Sequence, residues 1–504
     1  MRQFSGTDVT QPALLQVHDA DSVAVCLRDV TAGEHLAFGG GVIPVSVDIP
    51  RGHKVALRRH VSGEAVIKYG HGIGHAMADI EAGAHVHLHN LRSGLAQNDE
   101  YTYGVPEARP PATPLQREFM GYRRADGQVG IRNEVWILCT VGCVAETVRR
   151  IAEQAQIRFA GRTDGIFAFG HPFGCSQLGD DLSGTRQVLA ALAQHPNAGA
   201  VLIVGLGCEN NQLTALIAQL GARGADRLAY FNAQAVADEI EAGVAALAPL
   251  IDNMSTDRRS RCDLGDLVIG LKCGGSDAFS GLTANPLVGR ICDAVTDSGG
   301  TAILSEIPEL FGAERVLMAR CRDRATFDEL AQLINEFKDY FTSHHLPIFE
   351  NPSPGNRQGG ITTLEEKSLG AVQKGGNAAV TQIVRYGARA SRKGLVILES
   401  PGNDAVSTTA MIAAGAVIVL FTTGRGTPLG FPAPTLKISS NTDLALRKPR
   451  WVDFDAGSLI DGADRNTLTG DLLDLIVAVA SGAPCQNEQA GAREIALWKR
   501  GVTL

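Results

Sequence analysis

GAVLIVGLGCENNQ, at residues 199–212, indicates the fold class most clearly. Its first half is a short, continuous apolar run, and its second half is a polar loop that contains glycine and one cysteine. A strand buried on both faces of a parallel sheet has this unbroken apolar character, whereas a half-exposed strand alternates. We therefore expect a central strand of a parallel sheet, followed by a loop that is able to carry chemistry.

Similar apolar runs occur along the chain after Phe119 and are separated by amphipathic stretches. The other expected strands are at 135–141, 164–170, 265–275, 300–307, 395–400 and 416–423. Apolar residues at helical spacing are found at 147–159, 185–195 and 324–341. Because strands and helices alternate, the sequence predicts a large parallel-sheet, Rossmann-like α/β catalytic region.

Residues 21–95 have a different texture, in which short apolar runs alternate with glycine-containing turns. This spacing is typical of a small β-rich domain. A polar stretch with Pro106, Pro110, Pro111 and Pro114 follows, and successive prolines favour an extended linker. We predict a β-rich domain at 1–96, a linker at 97–117, a first α/β catalytic domain at 118–255 and a second one at 256–504.

The composition limits the possible functions. A net charge of -8 provides no broad cationic surface, which disfavours nucleic-acid binding. The first residues, MRQFSGTDVTQ, lack the pattern of a secretory signal, and no apolar run reaches the length of a membrane span. We therefore expect a cytoplasmic homo-oligomer without a membrane partner. Its 10 cysteines are expected to be thiols or metal ligands rather than a disulfide framework.

Cysteines occur in several loops that follow expected strands. Ligands gather at the carboxyl ends of strands in open α/β sheets, because the connecting loops converge there. Cys175, Cys208 and Cys273 each lie just beyond an expected strand, and Cys143 lies in a similar loop. Thiolates in converging loops are candidate ligands for iron or an iron–sulfur cluster. A single cysteine is more often a small buried apolar residue, so this alternative stays open for each position.

AHVHLHN, at 84–90, places His85, His87 and His89 at every second position, so on a strand all three side chains project from one face. Such a face suits metal binding or acid–base catalysis, because the histidine pKa lies near neutral pH. The alternative is an exposed polar face of an antiparallel strand. His171, in the loop GHPFGC, is a further candidate for the same chemistry.

Charged residues near the same loops are candidates for holding and activating a small polar substrate. Lys272 and Arg132 are cations able to pair with a carboxylate, and arginine adds a bidentate geometry. Acidic residues in or beside these loops could bind a cation or transfer protons, and Glu209 and Asp277 are stronger candidates than Glu314; the others are Glu306 and Glu309. An ordinary surface ion pair is the alternative role for each charged residue. The candidate substrate-binding residues are Arg132, Asp277, Asn285 and Asn403, and the candidate catalytic residues are His85, His87, His89, His171 and Lys272.

Seven distinctive blocks carry a resemblance to a known family. They are AHVHLHN at 84–90, GYRRADGQVGIRN at 121–133, HPFGCSQLGDD at 171–181, GLGCENNQ at 205–212, LKCGGSDAFSGLTANPLVGR at 271–290, NPSPGNRQGGITTLEEKSLG at 351–370 and TTGRGTPLGFPAPTLKISSN at 422–441. These blocks are spread over nearly the whole chain, which resembles the altronate and galactarate dehydratase family. The residues before the linker look like that family's small antifreeze-like (SAF) domain, and the remainder looks like its α/β catalytic part.

The resemblance implies a hydro-lyase that acts on a sugar acid. Three stretches, at 185–212, 305–318 and 451–462, are most similar to family members that act on altronate. The implied reaction is loss of water from D-altronate to give 2-dehydro-3-deoxy-D-gluconate in hexuronate catabolism. The resemblance also implies ferrous iron, as a single ion or a cluster. We place that iron, as a hypothesis, on Cys175, Cys208, Cys273 and Glu209.

A mechanism follows from the difficulty of removing a proton next to a carboxylate. We hypothesise that iron stabilises the enediolate and that a histidine at 85, 87 or 89 removes the proton. This arrangement requires the small domain to close over the large one. The alternatives are dehydration of galactarate, sulfo-lyase action on sulfolactate, and a noncatalytic regulator that binds a sugar acid. No basic recognition helix is evident in the sequence, which disfavours the regulator.

Overall fold

The structure is a computed structural model that describes residues 12–95, 99–106, 115–220 and 225–504. A small β-rich N-terminal region is followed by a large α/β region with parallel sheets, which confirms the predicted fold class. Residues 97–98 and 107–114 of the predicted linker lie outside the described residues. The domain limits proposed from the sequence stay predictions.

Strands of the N-terminal region are short and are joined by tight turns. They are β1 (Leu14–Leu15), β2 (Val23–Cys26), β3 (His35–Phe38), β4 (Gly41–Pro44), β5 (Lys54–Ala56), β6 (Ala65–Lys68), β7 (His71–Ala76), β8 (His85–Val86) and β9 (Leu91–Arg92). They form antiparallel sheets in the orders β1-β2-β5-β8, β3-β4 and β6-β7-β9. One of the turns requires glycine: φ of Gly83 is 82°, and a Cβ atom there would clash with the carbonyl oxygen of Pro44.

Two parallel sheets dominate the rest of the chain. The strands are β10 (Glu118–Arg123), β11 (Val129–Gly130), β12 (Glu134–Cys139), β13 (Ile166–Phe169), β14 (Ala198–Gly205), β15 (Leu228–Asn232), β16 (Ser260–Asp263), β17 (Val268–Cys273), β18 (Thr301–Leu304), β19 (Val380–Val384), β20 (Gly394–Leu398), β21 (Ile418–Thr423), β22 (Thr435–Ser439) and β23 (Phe454–Asp455). The four-stranded sheet has the order β13-β12-β14-β15, and the seven-stranded sheet has the order β19-β20-β18-β17-β21-β22-β23. Strands β11, β10 and β16 form a small antiparallel sheet. Every strand predicted for the α/β region is present, and strands without a long apolar run, such as β19 and β22, complete the sheets.

Helices cover the parallel sheets. They are α1 (Ala145–Arg158), α2 (Gly179–Ala193), α3 (Leu213–Leu220), α4 (Glu239–Met254), α5 (Ala284–Asp297), α6 (Glu314–Met318), α7 (Arg324–Ser343), α8 (Pro354–Gln358), α9 (Leu364–Ala371), α10 (Asp404–Ala413), α11 (Thr442–Arg447), α12 (Arg465–Ala480) and α13 (Gln486–Gln489). The predicted helices correspond to α1, α2 and α7. Helix α7 begins after Asp323, whose carboxylate accepts the N–H of Thr326 at 2.8 Å, and it buries Leu330, Ile334 and Phe337 on one face. In the part of the chain that the structure describes, no helix is both long and apolar enough to cross a membrane.

Helix α2 fixes the relative direction of the two parallel sheets. It follows β13, so its first turn lies at the carboxyl edge of the four-stranded sheet. A Cβ atom at Gly184 would lie 3.4 Å from the ring of Tyr386, which follows the end of β19. Just beyond the other end of α2, His195 Nε2 lies 3.0 Å from the carbonyl oxygen of Ala416, which precedes β21. The carboxyl edges of both sheets therefore face the same side of the molecule.

The N-terminal region docks on the α/β region through a buried ion group. Lys54 Nζ and Lys68 Nζ donate to the two carboxylate oxygens of Glu366 at 2.8 and 2.7 Å. Lys54 Nζ also donates to the carbonyl oxygen of Gly360 and to Thr362 Oγ1, both at 2.8 Å. Burial by itself raises the pKa of Glu366, but the charges of the two lysines outweigh burial and lower this pKa to about 2. Because an unpaired charge is costly in the interior, these contacts make the docking geometry specific.

The described part of the predicted linker contacts the α/β region. The hydroxyl of Tyr101 donates to Glu314 at 2.7 Å, and Lys338 Nζ donates to the carboxylate of Asp99 at 3.2 Å. Residues 99–106 are therefore held beside helix α7.

Replacing Glu366 with glutamine should weaken the docking, because two buried ammonium groups would lose their countercharge. We expect the free energy of unfolding to fall by about 3–5 kcal/mol, the range for removal of one partner from a buried ion pair. Urea denaturation followed by circular dichroism would measure the change. Glu153→Gln, which removes an exposed partner of Arg149, should leave the free energy of unfolding unchanged. An equally small effect of Glu366→Gln would contradict the proposed role of this ion group.

Candidate active site

Strand ends of the seven-stranded sheet bring charged side chains into one group, which is buried except for the partly exposed Asp404. Lys272 and Cys273 are the last residues of β17, Glu306 follows β18, and Asp404 begins α10 after β20. Lys272 Nζ donates to Asp404 Oδ1 at 2.8 Å and also to the carboxylate of Glu306. We name this group the charged cluster. Its members are Lys272, Cys273, Glu306, Glu309, Lys367, Lys374 and Asp404.

The carboxyl groups of Glu306 and Glu309 have pKa values that are pushed apart. Burial raises the pKa of Glu306, although the positive charge of Lys272 acts to lower it. The negative charge of Glu309 raises this pKa further. Burial also acts to raise the pKa of Glu309, but Lys367, whose Nζ lies 2.8 Å away, overcomes it and lowers the pKa to about 2. The backbone of Glu306 is left-handed, with φ of 68°, which is strained for a residue other than glycine. Strain and divergent carboxyl pKa values together are typical of a functional site.

Lys272, a predicted catalytic residue able to pair with a carboxylate, stays charged. Burial acts to lower its pKa, but the carboxylates of Glu306 and Asp404 outweigh burial and raise the pKa above the ordinary lysine value. Its Nζ also donates to the carbonyl oxygen of Cys273 at 2.6 Å, so three acceptors surround the ammonium group. Lys272 therefore holds the carboxylates of the charged cluster in place and is not a proton acceptor.

The charged cluster is a poor fit for a divalent cation. Cys273 Sγ and carboxylate oxygens of Glu306 and Glu309 lie within 4.8 Å of one another, and among the described residues this is the one group of three such ligands. The ammonium groups of the three lysines of the cluster already balance its three carboxylates. Without an ion, burial raises the pKa of Cys273 to about 12. A dication would therefore add charge to a buried group that is already neutral.

Four histidines of the N-terminal region meet where this region docks. His53 Nδ1 lies 3.0 Å from His85 Nε2. The ring centroid of His85 is 5.6 Å from that of His87 and 5.4 Å from that of His89. Burial and neighbouring positive charges lower the pKa of His85 to about 3 and that of His87 to about 4, so both rings are neutral at neutral pH. We name His53, His85, His87 and His89 the histidine cluster.

Hydrogen bonds fix which nitrogen of each ring carries the proton. His53 Nε2 lies 3.2 Å from the carbonyl oxygen of Gln358, which only accepts, so Nε2 is protonated and Nδ1 accepts from His85 Nε2. Neutral His85 therefore has its lone pair on Nδ1. His87 Nδ1 lies 2.9 Å from the hydroxyl of Thr362. This hydroxyl accepts a proton from Lys54 and has no other acceptor among the described residues, so we assign its hydrogen to His87 Nδ1. The proton of neutral His87 then lies on Nε2, and the cluster presents a proton acceptor beside a proton donor.

The prediction that His85, His87 and His89 occupy one face of a strand is wrong. Strand β8 ends at Val86 because Asn90 closes a turn. Asn90 Nδ2 donates to the carbonyl oxygen of His85 at 2.9 Å, and Asn90 Oδ1 accepts the N–H of His87 at 3.0 Å. The turn nevertheless brings the three rings together. Asparagine directly after the histidines is the sequence signal that indicated a turn.

The exposed cysteines lie at a different sheet edge from Cys273. Cys143, Cys175 and Cys208 follow β12, β13 and β14, which are neighbours in the four-stranded sheet. The other cysteines of the chain are buried. Cys175 and Cys208, which we predicted as ligands with Cys273, therefore lie with Cys143, whereas Cys273 belongs to the charged cluster of the other sheet. We name the loops 140–143, 173–177 and 206–211 the thiol loops.

Glu209, the fourth predicted metal ligand, uses its carboxylate in hydrogen bonds that hold its own loop. Its carboxylate accepts the N–H groups of Leu206 at 3.1 Å and Gly207 at 2.7 Å, and also the hydroxyl of Thr140. Burial by itself raises the pKa of Glu209, but these hydrogen bonds outweigh burial and lower it. The four predicted metal ligands therefore do not surround one ion. Glu209 instead holds the loop that contains Cys208.

His171 and Arg132 are buried and fully hydrogen-bonded. His171 Nε2 lies 2.9 Å from the carbonyl oxygen of Cys139, and His171 Nδ1 accepts the N–H of Phe173 at 3.2 Å. Burial lowers the pKa of His171 to about 4. Arg132 makes a bidentate ion pair with Glu488 at 2.8 Å, and its other N–H groups donate to backbone carbonyl oxygens. Neither side chain has a polar atom left for a substrate, so the structure replaces their predicted roles with structural ones.

The other predicted substrate-binding residues differ in their accessibility. Asp277 is buried and accepts the hydroxyl of Ser440 at 2.7 Å, and Asn285 is buried and donates to the carbonyl oxygen of Gly370 at 3.0 Å. Both side chains thus make hydrogen bonds to other buried groups of the protein. Asn403 is exposed and caps helix α10 by accepting N–H groups of its first turn. Of the three, Asn403 is the one that a substrate can reach.

The structure adds three residues that the sequence did not single out for this site. Arg425 is exposed and donates from Nη2 to Gln358 Oε1 at 2.7 Å, and the carbonyl oxygen of Gln358 accepts the proton of His53. Arg425 therefore lies beside the histidine cluster. In the sequence, Gln358 and Arg425 could have been noticed because each is a polar residue close to glycines, at 355–360 and 424–426. His53 has no comparable signal, because its partners come from distant segments.

Comparison with known proteins gives matches over nearly the whole chain. Residues 12–94 match the altronate/galactarate dehydratase SAF domain, 121–255 match the D-galactarate dehydratase/altronate hydrolase second domain, and 264–503 match the D-galactarate/altronate dehydratase C-terminal domain. An altronate dehydratase of Escherichia coli (strain K12) is 50% identical over 97% of this chain and 99% of its own length. An altronate dehydratase of Bacillus subtilis (strain 168) is 45% identical over 98% of this chain and 100% of its own length. A galactarate dehydratase (L-threo-forming) of Escherichia coli (strain K12) is 32% identical over 93% of this chain and 92% of its own length.

Stability should fall as the pH is lowered from neutral, because buried histidines stay neutral in the folded state. The ordinary pKa of 6.5 becomes about 4 for folded His171, so between these values the unfolded chain binds a proton that the folded chain does not. The free energy of unfolding should then decrease by up to about 1.4 kcal/mol per pH unit for this residue. Urea unfolding at several pH values between 6.5 and 4 would measure the slope.

A variant tests whether His171 contributes to this slope. His171→Asn should be less stable at neutral pH, since it loses buried hydrogen bonds, but its stability should depend less steeply on pH. His35→Asn changes an exposed ring and should keep the slope of the original protein. An unchanged slope in His171→Asn would show that this ring is not neutral in the folded state.

Proposed function

The chain belongs to the D-galactarate/altronate dehydratase family, and from this membership we propose that it removes water from D-altronate to give 2-dehydro-3-deoxy-D-gluconate. It is a hydro-lyase. The choice of altronate is supported by two relatives named altronate dehydratase that match this chain over nearly its whole length. The reaction breaks the C–H bond next to the carboxylate and the C–O bond of the adjacent hydroxyl.

The proton acceptor of the histidine cluster supports a role for His85 as the base. A carbon acid next to a carboxylate is weak, so the base needs an available lone pair placed against the substrate. His85 Nδ1 has such a lone pair, because its Nε2–H is donated to His53 at 3.0 Å. The negative charge of a bound sugar acid would raise the pKa of His85 and make the ring a stronger base. In this proposal His85 removes the proton, and His53 is a positioning residue.

Arg425 is our candidate for binding the substrate carboxylate. Its guanidinium is exposed, and it shares Gln358 with His53, which places a cation next to the histidine cluster. Arginine matches a carboxylate with two parallel hydrogen bonds, which fixes the orientation of the acid. The buried Arg132, proposed from the sequence, has no donor left for this purpose. A carboxylate held by Arg425 would place its α-carbon beside the imidazole rings.

His87 is placed to return a proton to the leaving group. Its proton lies on Nε2 because Nδ1 accepts from the hydroxyl of Thr362 at 2.9 Å. In the proposed reaction His85 takes the proton from C2, and His87 gives its Nε2 proton to the hydroxyl that leaves C3 as water. At the same time His87 Nδ1 takes the hydroxyl proton of Thr362, which Lys54 replaces, so that His87 stays neutral. The enol that remains tautomerises to the 2-keto acid. The two histidines return to their starting states after a proton passes from His85 to His87, directly or through solvent.

Ferrous iron is the cofactor that we propose from the family resemblance. The exposed thiols of Cys175 and Cys208 fit a soft or borderline metal, whereas the charged cluster is already neutral. When bound, iron supplies a Lewis acid that stabilises negative charge on a hydroxy acid. The thiol loops lie on the same side of the molecule as the carboxyl edge of the seven-stranded sheet, which is compatible with a shared substrate.

A panel of sugar acids tests the activity. The protein should be prepared without oxygen, supplied with ferrous iron, and given D-altronate, other aldonates, galactarate and sulfolactate. We expect a 2-keto acid to form fastest from D-altronate. Faster turnover of galactarate would show that galactarate is the preferred substrate. Release of sulfite from sulfolactate would show that the protein is a sulfo-lyase. Binding of an acid without turnover would indicate the noncatalytic role.

Replacing the base should reduce turnover without unfolding the protein. We expect His85→Gln to lower kcat by about 10²- to 10⁴-fold, the usual contribution of a general base, with little change in melting temperature. His87→Ala should also lower kcat strongly, since the departing hydroxyl would lose its proton donor. His35→Gln, in the same region but exposed, should keep normal kcat. Normal turnover in His85→Gln would remove this residue from the mechanism.

Arg425 is tested by separating binding from chemistry. Arg425→Gln should raise KM for D-altronate by about tenfold or more, because a bidentate ion pair of roughly 1.5–3 kcal/mol is lost. Arg425→Lys should recover part of the binding, since the charge is kept but the bidentate geometry is not. Arg447→Gln changes another exposed arginine and should leave KM unchanged. An unchanged KM in Arg425→Gln would exclude its role in substrate binding.

A further inference from the structure

We propose that Asp404, together with Asn403, binds the terminal C6 hydroxyl of the substrate and makes the site selective for sugar acids with one carboxylate. This inference rests on the proposed dehydration of D-altronate and deepens it by naming the residues that distinguish a hexonate from a hexarate. The two classes differ at C6, where a hexonate has a hydroxyl and a hexarate has a second carboxylate. A selective residue must therefore offer a contact that a hydroxyl makes and a carboxylate cannot make.

Asp404 lies near Arg425, the candidate for binding the C1 carboxylate, and the two glycines that follow β17 separate them. A Cβ atom at Gly275 would lie 3.2 Å from Cβ of Arg425, and a Cβ atom at Gly274 would lie 2.7 Å from Asp404 Oδ2. The N–H of Arg425 donates to the carbonyl oxygen of Gly275 at 2.9 Å, which fixes this neighbourhood. Arg425 and Asp404 therefore flank two consecutive residues of one loop.

The separation of these two side chains suits a six-carbon acid. Consecutive Cα atoms are about 3.8 Å apart, and an extended six-carbon chain with C–C bonds of about 1.5 Å spans roughly 6 Å from C1 to C6. Gly275 is exposed, and neither glycine has a side chain that would block the path from Arg425 to Asp404. An acid whose C1 carboxylate is held by Arg425 can thus extend over the glycines and place C6 at Asp404.

One carboxylate oxygen of Asp404 is used inside the protein, and the other is available. Lys272 Nζ donates to Oδ1 at 2.8 Å and is fully buried, whereas the side chain of Asp404 is 36% exposed. Among the described residues, no group donates a hydrogen bond to Oδ2. Because the ammonium group behind it fixes the carboxylate, Oδ2 is a preorganised acceptor for the proton of a hydroxyl.

Asn403 supplies a donor next to this acceptor. Its Oδ1 accepts the N–H groups of Ala405 and Val406, both at 3.1 Å, and these two donors identify the oxygen of the amide. The Nδ2 group is then left without an acceptor in the described part of the chain, and the residue is exposed. A hydroxyl both donates and accepts, so it can give its proton to Asp404 and accept one from Asn403.

A second carboxylate at C6 would not be matched by these groups. An ionised carboxylate only accepts hydrogen bonds, so it would bring its negative oxygens against those of Asp404 without a proton between them. The ammonium group that contacts Asp404 cannot compensate, because Lys272 donates its three protons to Asp404, Glu306 and the carbonyl oxygen of Cys273. A hexarate is therefore disfavoured by repulsion and by the loss of water from an unpaired charge.

Substrate preference of matched variants tests this proposal. For the full chain supplied with ferrous iron, kcat/KM should be measured for D-altronate and for galactarate. We expect Asp404→Asn to lower the ratio of the two values by about ten- to hundredfold, the range for one hydrogen bond to a charged group. A merely structural defect would lower both values alike and leave the ratio unchanged. Asp474→Asn, which changes an exposed acid on α12, should also keep the ratio.

A second variant tests the donor. Asn403→Asp keeps an oxygen that caps helix α10 but removes the Nδ2 group. We expect this variant to lower kcat/KM for D-altronate by roughly tenfold, since the C6 hydroxyl would lose its donor and meet a second negative charge. The melting temperature should stay close to that of the original protein. Unchanged kcat/KM for D-altronate would remove Asn403 from the proposal.

An acid without the C6 hydroxyl tests the same contact from the side of the ligand. Isothermal titration calorimetry in the His85→Gln background, in which turnover is slowed, should show that 6-deoxy-D-altronate binds about ten- to hundredfold more weakly than D-altronate. With Asp404→Asn added, this difference should shrink to a fewfold, because the variant has already lost the contact. Equal binding of the two acids before Asp404 is replaced would contradict the proposal.

Failure of this proposal can be distinguished from failure of the proposed reaction. An unchanged ratio in Asp404→Asn, with D-altronate still dehydrated, would overturn the selective role and leave the reaction intact. If no acid is dehydrated, calorimetry still reports which acid binds. Tighter binding of D-altronate than of galactarate that is lost in Asp404→Asn would then support the selective role alone. Absence of binding of both acids would overturn both.

Discussion

The buried ion group of Glu366 with Lys54 and Lys68 is the interaction on which the arrangement of the molecule depends. A carboxylate and two ammonium groups that are fully buried must be paired, because unpaired charge in the interior is expensive. The pairing allows one docking geometry of the N-terminal region, and in that geometry the histidine cluster lies against residues 358–362. The next residue of helix α9, Lys367, belongs to the charged cluster, so one helix connects the docking contact to the carboxyl edge of the seven-stranded sheet.

Three groups of reactive residues have different environments and therefore different chemistry. The charged cluster is mostly buried, and its three carboxylates pair with three lysine ammonium groups, which hold its geometry. In the histidine cluster His85 and His87 are half-buried and neutral, and hydrogen bonds determine where their protons lie. The thiol loops contain the three exposed cysteines of the chain, which solvent and reagents can reach. The two sheet edges face the same side of the molecule, so these environments are compatible with one substrate.

The sequence predicted the fold better than the site. Long apolar runs such as that at 199–207 predicted the buried parallel strands, because a strand covered on both faces has little room for polar residues. The site was harder, because a side chain's role depends on its partners. Arg132 and Lys374 are both basic residues in glycine-rich surroundings, yet one makes a buried pair with Glu488 and the other approaches Glu306. Nothing within a few positions of either residue distinguishes these roles.

The sequence alone determined the order of the two regions, the parallel α/β architecture, the family, and the residue types that gather at strand ends, since these follow from local apolar patterns and distinctive blocks. Tertiary structure alone decided which residues share a site. It grouped Cys175 and Cys208 with Cys143 instead of Cys273, brought His53 to His85, and turned His171 into a buried structural residue. The physical reason is that protonation, metal affinity and access are set by contacts between distant segments, and these contacts exist only after the chain has buried its charges in pairs.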